Sequence, residues 1–108
     1  MSFTINIYYK GKNGSAKKFA KEMISSGLVD EIRKKEGNLR YEYFKPIDDE
    51  ETILLIDSWE NEEALEKHHK SDTMNKIIEL RNKYDLHMKV ERYIFDDYNN
   101  QDEKYIRK

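Results

Sequence analysis

The sequence predicts an α+β domain with the element order β-α-β-β-α-β, a ferredoxin-like sandwich. Three observations predict it. Segments rich in β-branched and aromatic residues alternate with apolar stripes at helical spacing, and the four glycines and the single proline fall where one pattern gives way to the next. A last segment, close to the C-terminal end, alternates apolar and polar residues and supplies a fourth strand. Right-handed crossovers then place the helices on one face of a four-stranded antiparallel sheet.

Phe3 to Lys10 reads as the first strand, and Gly11-Lys12-Asn13-Gly14 breaks it. Ser15 is the expected N-cap of a helix whose apolar stripe is Ala16, Phe19, Ala20, Met23 and Ile24. Ser25-Ser26-Gly27 weakens that helix, Leu28 and Ile32 add a further turn or two, and Gly37-Asn38 ends it. Leu39 to Lys45 is the second strand, Pro46 with Asp48 to Glu51 a polar turn, and Thr52 to Trp59 the third strand. Asn61 can cap the helix of Glu62, Glu63, Ala64 and Leu65, with acids in its favourable first turn. Ser71 or Asp72 restarts a helix carrying Met74, Ile77, Ile78 and Tyr84, and Leu86 to Phe95 alternates as the last strand. Residues 1–95 thus form one domain, and 96–108 a polar tail, expected to fray, with Tyr98, Tyr105 and Ile106 as its anchors.

A length of 108 residues leaves room for one core. Lys plus Arg number 20 and Asp plus Glu 22, a balance of −2 that argues against a nucleic-acid surface. The absence of Cys excludes disulfides, thiolate metal sites and a Cys nucleophile. No apolar run approaches the ~20 residues of a membrane span, and the first ten residues lack a secretory pattern, so no membrane partner and a cytoplasmic location are expected. Charged residues reach 39%, but 12% aromatic content is too high for a disordered chain.

The third strand carries a conflict. Ile53-Leu54-Leu55-Ile56 is apolar at consecutive positions, so both of its faces are hydrophobic. In the second strand Tyr41 and Tyr43 project one way and Phe44 the other. A sheet covered by helices on one side only leaves an apolar patch on the other, and a second copy packed sheet against sheet can cover it. The expectation is a homodimer; the plainer alternative is a strand buried within one compact domain.

Few residues suit chemistry. His68 shares the apolar helix face of Ala64 and Leu65, pointing toward the sheet, where an imidazole can structure the core or handle a proton. His69 lies about 100° further round and is expected in solvent. Neighbouring helical positions diverge and no His pair at i, i+4 exists, so no metal site is expected. Asn6 shares parity with Thr4 and Tyr8, which leaves open an exposed strand residue or an inward amide that holds a developing oxyanion. Tyr41, Tyr43 and Arg40 are candidate substrate contacts, with packing for the tyrosines and a solvated position for Arg40 and Arg92 as the alternatives. There is no phosphate loop, nucleophile elbow or dinucleotide fingerprint, and the third strand lacks the base-stacking pattern of RNA-binding domains with this strand order.

From Asn38-Leu39-Arg40-Tyr41-Glu42-Tyr43-Phe44 through Ile53 to Trp59-Glu60, and on to Ala64-Leu65 with His68 nine residues after Trp59, the chain resembles the antibiotic biosynthesis monooxygenase family. The resemblance covers most of residues 3 to 95. It implies a dimeric α+β barrel with a pocket in each subunit between sheet and helices. It implies a monooxygenase that uses O2 on a small hydroxylated aromatic or quinol with neither metal nor flavin, the substrate supplying the electrons. Asn6, Trp59 and His68 match pocket positions: His68 as proton acceptor or substrate anchor, Asn6 as oxyanion holder, Trp59 as wall. Haem-degrading members resemble the chain at Asn6, but their helix Trp falls at His68 and their haem-ligand His at Ile78, which argues against haem. A non-catalytic dimeric module that binds or senses a small molecule, or an isomerase on the same fold, are the alternatives.

Overall fold

Alternation along Phe3–Lys10 makes a strand with two unlike faces: Ile5, Ile7 and Tyr9 are buried, while Thr4, Asn6 and Tyr8 point the other way. In a computed structural model that describes residues 2–96 and 100–108, this strand is β1. It is followed by α1 (Ser15–Ser25), α2 (Leu28–Arg33), β2 (Asn38–Phe44), β3 (Thr52–Trp59), α3 (Glu62–His69), α4 (Asp72–Lys83), β4 (His87–Ile94) and α5 (Asn100–Glu103). The sheet runs β2-β3-β1-β4, and every neighbouring pair is antiparallel. The expected four-stranded α+β sandwich is the observed one. Each helical region is two helices, divided at Gly27 and at Ser71.

The register lines residues up in rows across the sheet. On the helix-covered face one row is Tyr41, Asp57, Ile5 and Arg92, and the next is Tyr43, Leu55, Ile7 and Val90. On the open face the matching rows are Arg40, Ser58, Thr4, Tyr93 and then Glu42, Ile56, Asn6, Glu91. The helices pack Phe19, Met23, Val29, Ile32, Leu65 and Ile77 onto the covered face, with Tyr9, Leu55 and Trp59 beneath. They leave β4 bare: Met88, Val90 and Ile94 face the helical side yet are 46%, 56% and 58% exposed. The sandwich is therefore open along β4.

Several local expectations are corrected. Gly14, not Ser15, precedes α1 as its cap, because its left-handed backbone turns the chain; the Ser15 hydroxyl accepts from the Lys12 amide instead. Ile24 and Ile78 lie outside their buried stripes, 57% and 43% exposed. Asn61 and Ser71 do cap α3 and α4, accepting from the amides of Ala64 and Met74. In the tail, α5 is a short helix, Tyr105 and Ile106 are exposed in the single chain, and Tyr98 lies outside the described residues. Among the described residues no helix is long and apolar enough to cross a membrane.

The turn before β2 fixes where α3 begins. Gly37 has φ +85°, its carbonyl accepts from the Glu60 amide at 2.7 Å, and a Cβ there would lie 2.5 Å from the Ala64 Cβ. Gly37→Ala combines left-handed strain of about 1–2 kcal/mol with that clash. Chemical denaturation should show a loss of at least this size; a variant as stable as wild type would contradict the close approach.

Candidate functional site

The bare β4 edge opens onto a cavity of about 280 Å3 between the sheet and helices α3 and α4. Its floor is the Tyr41, Asp57, Ile5, Arg92 row with Leu55, Ile7 and Val90 beside it; α3 contributes Leu65, His68 and His69, and α4 Met74, Ile77 and Arg81. The volume sits near the lower end of the ~300–1,000 Å3 range of ligand clefts, a space for one or two rings.

Asp57 is the polar centre of this apolar floor. Strand alternation gives it the same parity as Leu55 and Trp59, so its carboxyl group must enter the core, where it is 5% exposed. Its Oδ1 has no hydrogen-bond partner. The Trp59 indole N–H and the Asn38 amide lie near enough to favour the carboxylate, yet Oδ1 accepts no hydrogen bond and the indole nitrogen is itself unpartnered. Burial lifts the Asp57 pKa to about 7, held back by Trp59, the Arg81 charge and Asn38.

Two cations bound the cavity. Arg81 donates from Nε and Nη2 to the Tyr9 hydroxyl at 3.1 and 2.8 Å, which locks its guanidinium. Among the described residues it forms no ion pair, so its charge acts on Asp57 and His68. Arg92 lies over the Phe3 ring, 4.5 Å from its centroid, and pairs with Glu62 at the start of α3. Burial holds the phenols of Tyr41 and Tyr43 above their usual range, so both stay protonated.

His68 is 4% exposed and stacks on Trp59, with ring centroids 4.8 Å apart and planes at 23°. Its Nδ1 is 2.9 Å from the Lys35 ammonium. Burial first, then the charges of Lys35, His69 and Arg81, depress its pKa to about 3, so the ring is neutral at physiological pH.

The structure brings together only part of the expected constellation. His68 and Tyr41 line the cavity. Trp59 stands behind His68 as its stacking wall. Tyr43 belongs to the next row, edge-on to Phe19 at 6.3 Å, and is not a cavity residue. Arg40 is on the open face, paired with Glu42 at 2.9 Å and over the Phe44 ring at 5.4 Å, because it has the opposite parity to Tyr41. Asn6 is also on the open face, between Ile56 and Glu91 with its Oδ1 buried and unpartnered, so it does not meet His68. Asp57 and Arg81 are the residues that pattern reasoning missed. Both signals were present: an acid at core parity in β3, and an arginine four residues after buried Ile77. Among the described residues no group of three or more His, Cys, Asp or Glu could hold a metal.

Residues 2–80 match the family described as antibiotic biosynthesis monooxygenase. The chain is 28% identical over 67 residues to "Putative monooxygenase YcnE" of Bacillus subtilis, covering 62% of this chain and 68% of that protein. Among solved structures it is similar to a "putative antibiotic biosynthesis monooxygenase" of Deinococcus radiodurans, with a TM-score of 0.76, 15% identity, and 93% and 97% of the two chains covered. It is also similar to SnoaB, a cofactor-independent oxygenase of Streptomyces nogalater, at TM-score 0.75, 9% identity, and 92% and 97% coverage. At these identities the structural matches show the shared fold.

The two buried groups act on stability in opposite directions. Asp57, raised from 3.8 to about 7, is protonated in the folded state when the unfolded chain has already lost the proton, so its contribution falls as pH rises from 3.8 to 7. His68, lowered from 6.5 to about 3, stays neutral when the unfolded chain is charged, so its contribution is lost as pH falls below 6.5. Each slope is about 1.4 kcal/mol per pH unit, and they offset one another between roughly pH 4 and 6.5. Urea denaturation across that window should show Asp57→Asn gaining on wild type as pH rises and His68→Phe gaining as pH falls. Parallel curves for all three proteins would contradict both shifts.

Proposed function

The chain belongs to the antibiotic biosynthesis monooxygenase family, and from that premise we propose that it is a cofactor-independent monooxygenase oxidising a small hydroxylated aromatic or quinol with O2. The observation that carries the reading is the buried Asp57 carboxyl group among the cavity-lining residues, whose Oδ1 has no hydrogen-bond partner. Asp57 accepts the phenolic proton. A phenol near pKa ~10 lies about three units above Asp57, a gap of about 4 kcal/mol, where an ordinary aspartate would face about 8. Arg81 and Arg92 stabilise the resulting anion beside an apolar floor. The electron-rich anion then reduces O2: one oxygen atom becomes a new carbonyl on the substrate, the other leaves as water, and all four electrons come from the substrate. His68 is the substrate anchor rather than the base, since its depressed pKa makes it a poor proton acceptor.

Oxygen uptake and 18O incorporation, measured over a panel of one- and two-ring phenols and quinols, test this reading. The rate should rise with pH through a midpoint near 7, and Asp57→Asn should lose about 10²–10⁴-fold. A wild-type rate no greater than autoxidation, or an unaffected variant, refutes it. Turnover that persists without oxygen identifies a proton-transfer isomerase, and saturable binding without turnover a binding module.

The same reading has two copies closing their open sheet faces on one another. Leu54 and Ile56 at the centre of that face, with Tyr8, Phe44 and Tyr93 around them, are the apolar surface that supports it. Sedimentation should give a dimer for wild type and a monomer for Ile56→Glu; a monomeric wild type at micromolar concentration removes the idea.

A further inference from the structure

We infer that Lys35 is a positioning residue that holds His68 in the one tautomer presenting an Nε2–H donor to the cavity. The inference rests on the reading of the cavity as a phenol site, and adds to it how the substrate oxygen is gripped.

Lys35 sits in the turn between α2 and β2, where its backbone is bonded on both sides: its amide donates to the Ile32 carbonyl at 3.0 Å, and its carbonyl accepts from Asn38 at 3.2 Å. From there the side chain reaches α3 from the outside. Its Nζ lies 2.9 Å from His68 Nδ1 and 2.8 Å from Ser71 Oγ. Ser71 Oγ has a single proton, which it donates to the His68 carbonyl at 2.6 Å, so toward Lys35 it can only accept. An ammonium has three donors and no acceptor, so His68 Nδ1 must present its lone pair to Lys35. A neutral imidazole with Nδ1 unprotonated carries its proton on Nε2. Lys35 and Ser71 line the groove on the outer side of the ring, whereas His68 lines both that groove and the cavity. Nε2 is the ring nitrogen left to serve the cavity.

The charges around the ring keep this state fixed. Lys35 from the turn, His69 from α3 itself and Arg81 from α4 all oppose a second proton on His68; burial lowers the Lys35 pKa below its usual value, and Glu31 from α2 partly offsets that. Trp59 below holds the ring plane by stacking. The result is a neutral donor that does not titrate across the physiological range, polarised by the ammonium behind it and suited to a phenolate oxygen.

The test uses 15N-histidine-labelled protein without substrate, with the His68 ring signals assigned by their loss in His68→Gln. At pH 7 wild type should show the Nε2–H tautomer, with no titration between pH 5 and 8. Lys35→Met should release the ring to mixed tautomers or a rising pKa, and Lys35→Arg should keep the wild-type pattern. Binding of 4-nitrophenolate, read by its absorbance, should weaken about tenfold in Lys35→Met and little in Lys35→Arg. An Nδ1–H tautomer or an imidazolium in wild type overturns the inference even if Lys35→Met fails to fold. Unchanged ring signals or unchanged phenolate binding in a folded Lys35→Met overturn it as well. Correct ring signals and phenolate binding in a protein that takes up no oxygen leave it standing while removing the oxygenase reading.

Discussion

A carboxyl group forced into an apolar floor is the constraint on which the rest of the site depends. Asp57 has no choice of face: β3 alternates, Leu55 and Trp59 are core residues, and Asp57 lies between them. An isolated buried carboxylate is costly, and the fold compensates it only in part, through the Trp59 indole, the Asn38 amide and the charge of Arg81. Full pairing would leave a structural acid with a low pKa, and no compensation at all would leave a permanently neutral one. The intermediate case is a group poised to exchange a proton near neutrality.

His68 is displaced in the opposite direction by the same surroundings. Burial and the nearby charges of Lys35 and Arg81 hold its imidazole neutral, while burial tends to hold Asp57 neutral and Arg81 opposes it. Two groups lining one cavity are thereby shifted in opposite directions, which in the proposed reading suits one to move a proton and the other to donate a hydrogen bond. Lys35 reaches His68 from outside the cavity and Arg81 is tied to Tyr9, so both cations are held by groups other than a substrate. A site organised before its ligand arrives loses less on binding.

Much of this architecture was legible in the sequence. The strand β1, the hairpin, the caps Asn61 and Ser71 and the burial of His68 beneath α3 all follow from periodicity and capping chemistry. The family resemblance points to the correct family and sheet topology. The side-chain roles were less legible than the strands, because residue type and parity point different ways. Asn6 and Arg40 have suggestive side chains but lie on the open face, whereas Asp57, two residues before Trp59, shares its face. Lys35 was illegible for a different reason: it approaches His68 from 33 residues away through a turn, and no local pattern encodes such a contact.

The central claim concerns one carboxyl group, and the chemical shift of its carbon reports on it directly. Following the 13C resonance of the Asp57 carboxyl from pH 4 to 9, assigned with Asp57→Asn, should give a midpoint near 7. A midpoint near 4, the value of an ordinary solvated aspartate, would contradict the account.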